Sequence, residues 1–181
     1  MGICREWSRF HRCHIWLLLA TLIMLLAGRT YAADELPKES VLPMSLATKA
    51  VQAAVDFCKK DGYRVSASVV DRAGVLRVMM RFDGAGPHTI ESSRKKAFTS
   101  VTLKRPTSHL ADMIAKNPAL QGLRDMDHNV LMLGGGLPIE MNGEMVGAIG
   151  VGGAPGAHLD DACAQAGLDA IGAASKIPAA K

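Results

Sequence analysis

Aromatic side chains make up only 4% of this 181-residue chain. Few flat faces are therefore available for stacking bases, which argues against a nucleic-acid partner. Phosphate loops are missing as well. No Gly-Lys-Ser/Thr occurs, and no G-x-G-x-x-G survives a strict test, although half of the chain's 18 glycines fall between Met132 and Gly156. Hydrolase motifs are absent: no serine sits in G-x-S-x-G, and Ser92-Ser93-Arg94-Lys95 lacks the later motifs that complete a Ser-Lys site. No two histidines stand at H-x-x-x-H spacing, so a zinc centre has no scaffold in the sequence. The acid pairs Asp125 with Asp127 and Glu140 with Glu144 read as solvated carboxylates.

What is present begins with a leader. Arg5, Arg9 and Arg12 precede the apolar run IWLLLATLIMLLAG, and the small-residue site TYAA follows at Thr30 to Ala33. Basic start, short apolar middle and small exit form a signal peptide over residues 1–33, with an uncleaved anchor as its rival. The run of about 14 residues is short of the ~20 needed to span a bilayer. The expected location is periplasmic or secreted, with no membrane attachment after cleavage. Removing Arg5, Arg9, Arg12, Arg29 and Glu6 takes the 21 basic and 17 acidic residues to 17 and 16. The basicity thus belongs to the leader, and no nucleic-acid-binding patch is left.

The rest is long enough for one domain with a real core. Residues 34–43 read as a flexible lead-in and 44–176 as the domain. Ser45 is placed as the cap of a helix to about Lys60, with Leu46, Ala50, Ala54, Phe57 and Cys58 on one face. RVSASVVD and VLRVMMRF alternate about a turn at RAG, and Leu76, Val78, Met80 and Phe82 are assigned to a single buried face. Met79 and Met80 pack in or beside the sheet. A helix spans about Thr89 to Leu103, burying Ile90, Ala97, Phe98 and Val101. Pro106 breaks it, and Thr107 or Ser108 caps a short helix to about Lys116. A short strand is expected at Val130 to Leu133. Asn142-Gly143 between two strand-like runs signals a tight hairpin, because both turn positions need positive φ. A last helix runs from about Leu159 to Ala174, with Asp160 and Asp161 favourable to its dipole.

The predicted architecture is α+β: a five-stranded antiparallel sheet with packed helices. Glycines within the final strand, Gly147, Gly150 and Gly152, imply that a backbone, a helix or a flat ligand comes close. Cys58 and Cys163 either form a disulfide or remain two buried thiols, and the sequence leaves both open. Exposed sheet edges imply a homo-oligomer, a dimer or higher.

The segments SASVVDRAGVLRVMMRFDGAGPHTIESSRKKAFTSVTLKRPTSHLA and GGGLPIEMNGEMVGAIGVGGAPG resemble the GlcG/HbpS family of haem-binding or haem-degrading GlcG-like domains (DUF336-type). The likeness covers about residues 44–174. It implies a profilin-like or PAS-like fold, oligomers from dimers to octamers, and haem or tetrapyrrole binding in some members. It also implies a possible partner sensor or transport protein. Other members accompany glycolate or diol metabolism. Some are credited with iron binding through E-x-x-E, a pattern this sequence lacks.

Haem requires a flat apolar slot, an axial donor and cations for two propionates. The axial candidates are His88 and His109, then Thr107 and His128; Arg81, Arg94 and Lys96 are candidates for the propionates. Gly135 and Gly136, with Gly134, are assigned to close approach of the ring. The expected function is an exported, non-catalytic haem-binding protein. The alternatives are a haem-free accessory protein of organic acid or alcohol oxidation, or a small enzyme.

Overall fold

The computed structural model describes residues 35–175; the leader read at residues 1–33 lies outside them. Residues 35–38 belong to a first unit, in which Lys38 pairs with Glu35 at 2.7 Å. The second unit starts at Glu39 and holds all the regular structure among the described residues. Its elements are α1 (Met44–Lys60), β1 (Ser66–Asp71), β2 (Leu76–Arg81), α2 (His88–Leu103), α3 (Thr107–Lys116) and a 3₁₀ segment (Pro118–Arg124). There follow β3 (Gly136–Met141), β4 (Glu144–Gly152) and α4 (Ala157–Ile171).

The strands form one sheet in the order β2-β1-β4-β3, with every neighbouring pair antiparallel. The α+β class holds, but the sheet has four strands, not five. The missing one is Val130 to Leu133. That run pairs with no strand; Leu131 instead donates its backbone N–H to Thr99 Oγ1 at 2.8 Å. Met132 is buried with Leu110 and Ile114 in a small core beneath α3. A four-residue apolar run is satisfied equally well by such a loop, because hydrophobicity alone does not specify a ladder.

Strand parity divides the sheet into two unlike faces. Ala67, Val69, Ile149 and Val151 point toward α1 and α4, where they close the main core with Val51, Val55 and Leu168. Each buried valine, leucine or isoleucine contributes about 1.5–3 kcal/mol on full burial. Leu42, assigned to the loose lead-in, is buried in this same core. On the opposite face, Ser66 and Ser68 pair with Gly152 and Gly150, and α2 lies across them. Ser66 shares a hydrogen bond with Thr89 at 2.7 Å, and Ser68 with Ser93 at 2.8 Å. A methyl group at Gly150 would overlap the Ser93 carbonyl, and one at Gly152 would overlap the Ser92 hydroxyl. What approaches Gly150 and Gly152 is therefore a helix, while Gly147 lies against the Val70 carbonyl of β1.

This arrangement revises the expected faces. α2 buries Thr89, Ser93, Lys96, Thr99 and Ser100 beside Ala97 and Val101, whereas Ile90 and Phe98 are only half-buried. In β2, Leu76 is 43% exposed, because this strand is the sheet edge. No side chain caps α1 or α3. Pro43 and Pro106 precede them, so Ser45, Thr107 and Ser108 do not cap. Asn142 and Gly143 turn with φ of 53° and 81°, as the hairpin requires. α4 ends at Ile171, with Gly172 left-handed at φ 66°, and Ala174 then bridges to Glu140.

Cys58 of α1 and Cys163 of α4 are joined by a disulfide, with Cα atoms 5.6 Å apart and a sequence separation of 105. Closing so long a loop stabilises the fold by about 2–5 kcal/mol, chiefly through the unfolded chain. Reduction, or Cys58→Ser with Cys163→Ser, is expected to lower unfolding free energy by that amount in urea titrations. Superimposable curves for oxidised and reduced protein would contradict the link.

Candidate functional site

Ser66 of β1 pairs with both Arg81 and Gly152, so the exit of β2 and the exit of β4 share one end of the sheet. Two clusters of sequence-selected residues lie at this end, and they differ in character.

The first is internal. Lys96 is 1% exposed, and its Nζ donates to the Val151 carbonyl at 2.9 Å and to Asp160 Oδ2 at 2.6 Å. Asp160 Oδ1 accepts the Ala154 N–H at 3.0 Å, and Asp161 Oδ1 accepts the Gly135 N–H at 2.6 Å. Thr107 Oγ1 accepts the Gly136 N–H at 2.8 Å. Burial pushes the Asp160 carboxyl above its ordinary value, although the Lys96 ammonium opposes the shift. Lys96 is thus not a surface cation for a propionate, and the Thr107 hydroxyl is committed to backbone. Gly135 and Gly136 offer no plane to a ring, because Lys96, Thr107 and Asp160 already occupy the space above them. In this structure all four positions are thus engaged within the chain. The knot ties α2, α3, β3, β4 and α4 together; in the sequence, only the helix-start position of Asp160 and Asp161 hinted at it.

The second cluster is open. β2 leaves the sheet through the loop Phe82 to Pro87, and α2 begins at His88. Three consecutive loop residues each carry a polar head from elsewhere. Arg64 lies against Gly84, with Nη1 2.9 Å from where a Cβ would stand. Arg81 donates from Nε to the Ala85 carbonyl at 2.9 Å, and from Nη2 to the same oxygen. The His88 ring lies against Gly86, with Cε1 2.7 Å from a would-be Cβ. Glycine at 84 and 86 is what admits the heads. Arg64, Arg81 and His88 are all exposed, and none makes an ion pair within 4.0 Å among the described residues. Beside them Lys59 Nζ sits 5.3 Å from the Phe82 ring centroid. Arg64 was missed in the sequence because it lies outside any motif, just before β1.

The remaining candidates are elsewhere engaged or isolated. Arg94 pairs with Glu91 at 2.8 Å and donates to Asn129 at 2.8 Å, and its hydrogen bond holds the Glu91 carboxyl below its ordinary value. His128 is exposed beside Asp127, whose carboxyl is lowered by the Asn129 backbone N–H. His109 is half-buried on α3, and its Nδ1 is buried without a hydrogen-bond partner. A groove of about 340 Å³ runs between residues 40–43 and the β3–β4 hairpin, and another of about 430 Å³ lies between α3 and α4. Neither is lined by His88, His109, His128, Arg81 or Arg94. Among the described residues no group of three His, Cys, Asp or Glu side chains is set to hold a metal ion. None of the described helices is long and apolar enough to cross a membrane.

A helix-flanked antiparallel sheet with an open basic corner defines a small α+β domain. The chain belongs to the family of haem-degrading HbpS-like proteins, which matches residues 42–169. It is 43% identical to HbpS of Streptomyces reticuli, solved as a double mutant, with TM-score 0.70 over 79% of this chain and 95% of that one. A PduOC haem complex is 28% identical, with TM-score 0.71 over 76% of this chain and all of the other. Protein GlcG of Escherichia coli is 27% identical over 61% of this chain and 81% of its own length.

The internal knot makes a quantitative prediction. Lys96→Met or Asp160→Leu alone leaves a buried charge unpaired and costs about 3–5 kcal/mol, whereas the double substitution costs much less than the two singles together. Denaturant melts of the four proteins check this; additive losses would show that the pair is not coupled.

Proposed function

We propose that this protein is an exported haem-binding protein, non-catalytic, acting in haem storage, sensing or delivery on a profilin-like or PAS-like frame. One observation carries the reading: an exposed imidazole and two exposed guanidiniums converge on the consecutive residues Gly84, Ala85 and Gly86. An imidazole is a haem iron ligand, and guanidinium forks match propionates. The residues therefore fit the group, with His88 as the iron donor and Arg81 as a carboxylate partner. His109 is the alternative donor. Haem bound there would supply its own redox-active iron; the chain supplies position and charge.

Support comes from three further directions. The relatives include a protein solved with haem. The Cys58–Cys163 bond suits an oxidising compartment, consistent with the signal peptide read at residues 1–33. Apolar surface adjoins the corner: Met79 is 37% exposed and shares the sheet face of Arg81. A single chain offers one such wall. The second comes from another copy, placed along the unpaired outer edge of β2, where Val75 and Leu76 are also exposed. The assembly is thus a dimer or higher, and a sensor or transport protein would receive the haem.

The same arginines favour a second reading, an accessory protein that binds a small organic acid without haem. Haemin titration into the mature, disulfide-intact protein separates the two. A Soret shift is expected, weakened at least about tenfold by His88→Ala and retained in His109→Ala. A wild-type protein with no shift, or a His88→Ala variant that binds like wild type, would overturn the assignment.

A further inference from the structure

Arg64 and Arg81 approach the same loop but not in the same way. Arg81 commits two of its five N–H groups, on Nε and Nη2, to the Ala85 carbonyl, which fixes its plane. Arg64 makes no side-chain hydrogen bond and no ion pair among the described residues. Its guanidinium lies over Gly84, with Nη1, Cδ and Cζ at 2.9, 3.2 and 3.4 Å from the position a Cβ would take. Gly84 has φ +75°, so the loop turns its backbone under the guanidinium where a side chain would otherwise stand. The one acid in the loop, Asp83, is exposed and forms no ion pair with either arginine within 4.0 Å. An unpaired guanidinium and a pre-oriented one on adjacent loop residues supply donors for a planar, two-oxygen anion.

We infer that Arg64 is the principal carboxylate-recognition residue of the Gly84–Gly86 corner, with Arg81 as its pre-oriented support. The inference rests on the reading of this corner as the ligand site and names the chemistry that the site selects. The carboxylate comes either from the propionates of a porphyrin or from a small organic acid. Arg64 acts on ligand choice rather than on folding, since it is exposed and structurally unpaired. Lysine at this position keeps the charge but loses the fork, so it restores binding only in part.

The test uses the mature oxidised protein and its Arg64→Gln and Arg64→Lys variants, first checked for unchanged melting. Three probes are titrated: haemin, haemin dimethyl ester and glutarate. Haemin is expected to bind wild type about tenfold or more tighter than Arg64→Gln, with Arg64→Lys between them, while the ester binds all three alike. If the ester binds wild type as tightly as haemin does, or if Arg64→Gln binds haemin like wild type, the role of Arg64 is overturned and haem binding stands. If haemin fails but glutarate shifts the Gly84, Ala85 and Gly86 amide signals in wild type and not in Arg64→Gln, the carboxylate site stands and the haem reading falls. If no probe perturbs the corner, the inference is overturned together with that reading.

Discussion

The fold depends on one close approach. Helix α2 rests on β1 and β4 almost backbone to backbone, at Ser66, Ser68, Gly150 and Gly152, where apolar side chains would hold it away. Hydroxyl pairs replace the missing hydrophobic contact, because buried polar groups at this distance must find partners. Lys96 then ties the helix to β4 and α4 through Val151 and Asp160. Such a contact has little slack. A register change would bury the Ser66, Ser68, Thr89 and Ser93 hydroxyls without partners, at a cost of about 1–3 kcal/mol each.

That rigidity places the corner. The start of α2 is fixed by Thr89 and Ser93, and the end of β2 is fixed by its ladder to β1, so the connecting loop has both ends anchored. Arg81, from the strand, and His88, from the helix, are thereby held on adjacent loop residues, and Arg64 arrives from the segment leading into β1. On the other face, the Cys58–Cys163 bond fastens α1 to α4 and leaves the corner untouched. The two sides of the sheet are thus unlike: an apolar, cross-linked core on one, a polar helix with an open end on the other.

What the sequence disclosed was local. Asn142-Gly143 states its own turn geometry, and the alternation of SASVVD and VLRVMM states two strands; both are decided by neighbours in the chain. The apolar run at Val130 to Leu133 has the same composition as a strand but no partner edge, which only the three-dimensional arrangement reveals. The polar side of α2 misled for a related reason. Serine, threonine and lysine ordinarily face solvent, and nothing within the helix shows that glycines await it on the sheet. Lys96, Thr107, Gly135 and Gly136 were chosen for a ligand because their types suit one, and contacts 26 to 64 residues away in the chain engage them. Arg81 and His88 were legible as a loop pair, since seven positions separate them across a glycine turn. Arg64 was not, since it reaches that turn only after β1 and β2 have paired.

The central claim is that a ligand meets this chain at the corner after β2 and not at the glycine-rich start of β3. Paramagnetic broadening by ferric haem in an amide-resolved NMR spectrum tests it most directly, because the effect falls steeply with distance from the iron. The account predicts strongest loss of signal over residues 82–90 and at Arg64, with Asn142 and Gly143, at the opposite end of the sheet, intact. Strongest loss around His109 and the rest of α3, with residues 82–90 unaffected, would contradict it.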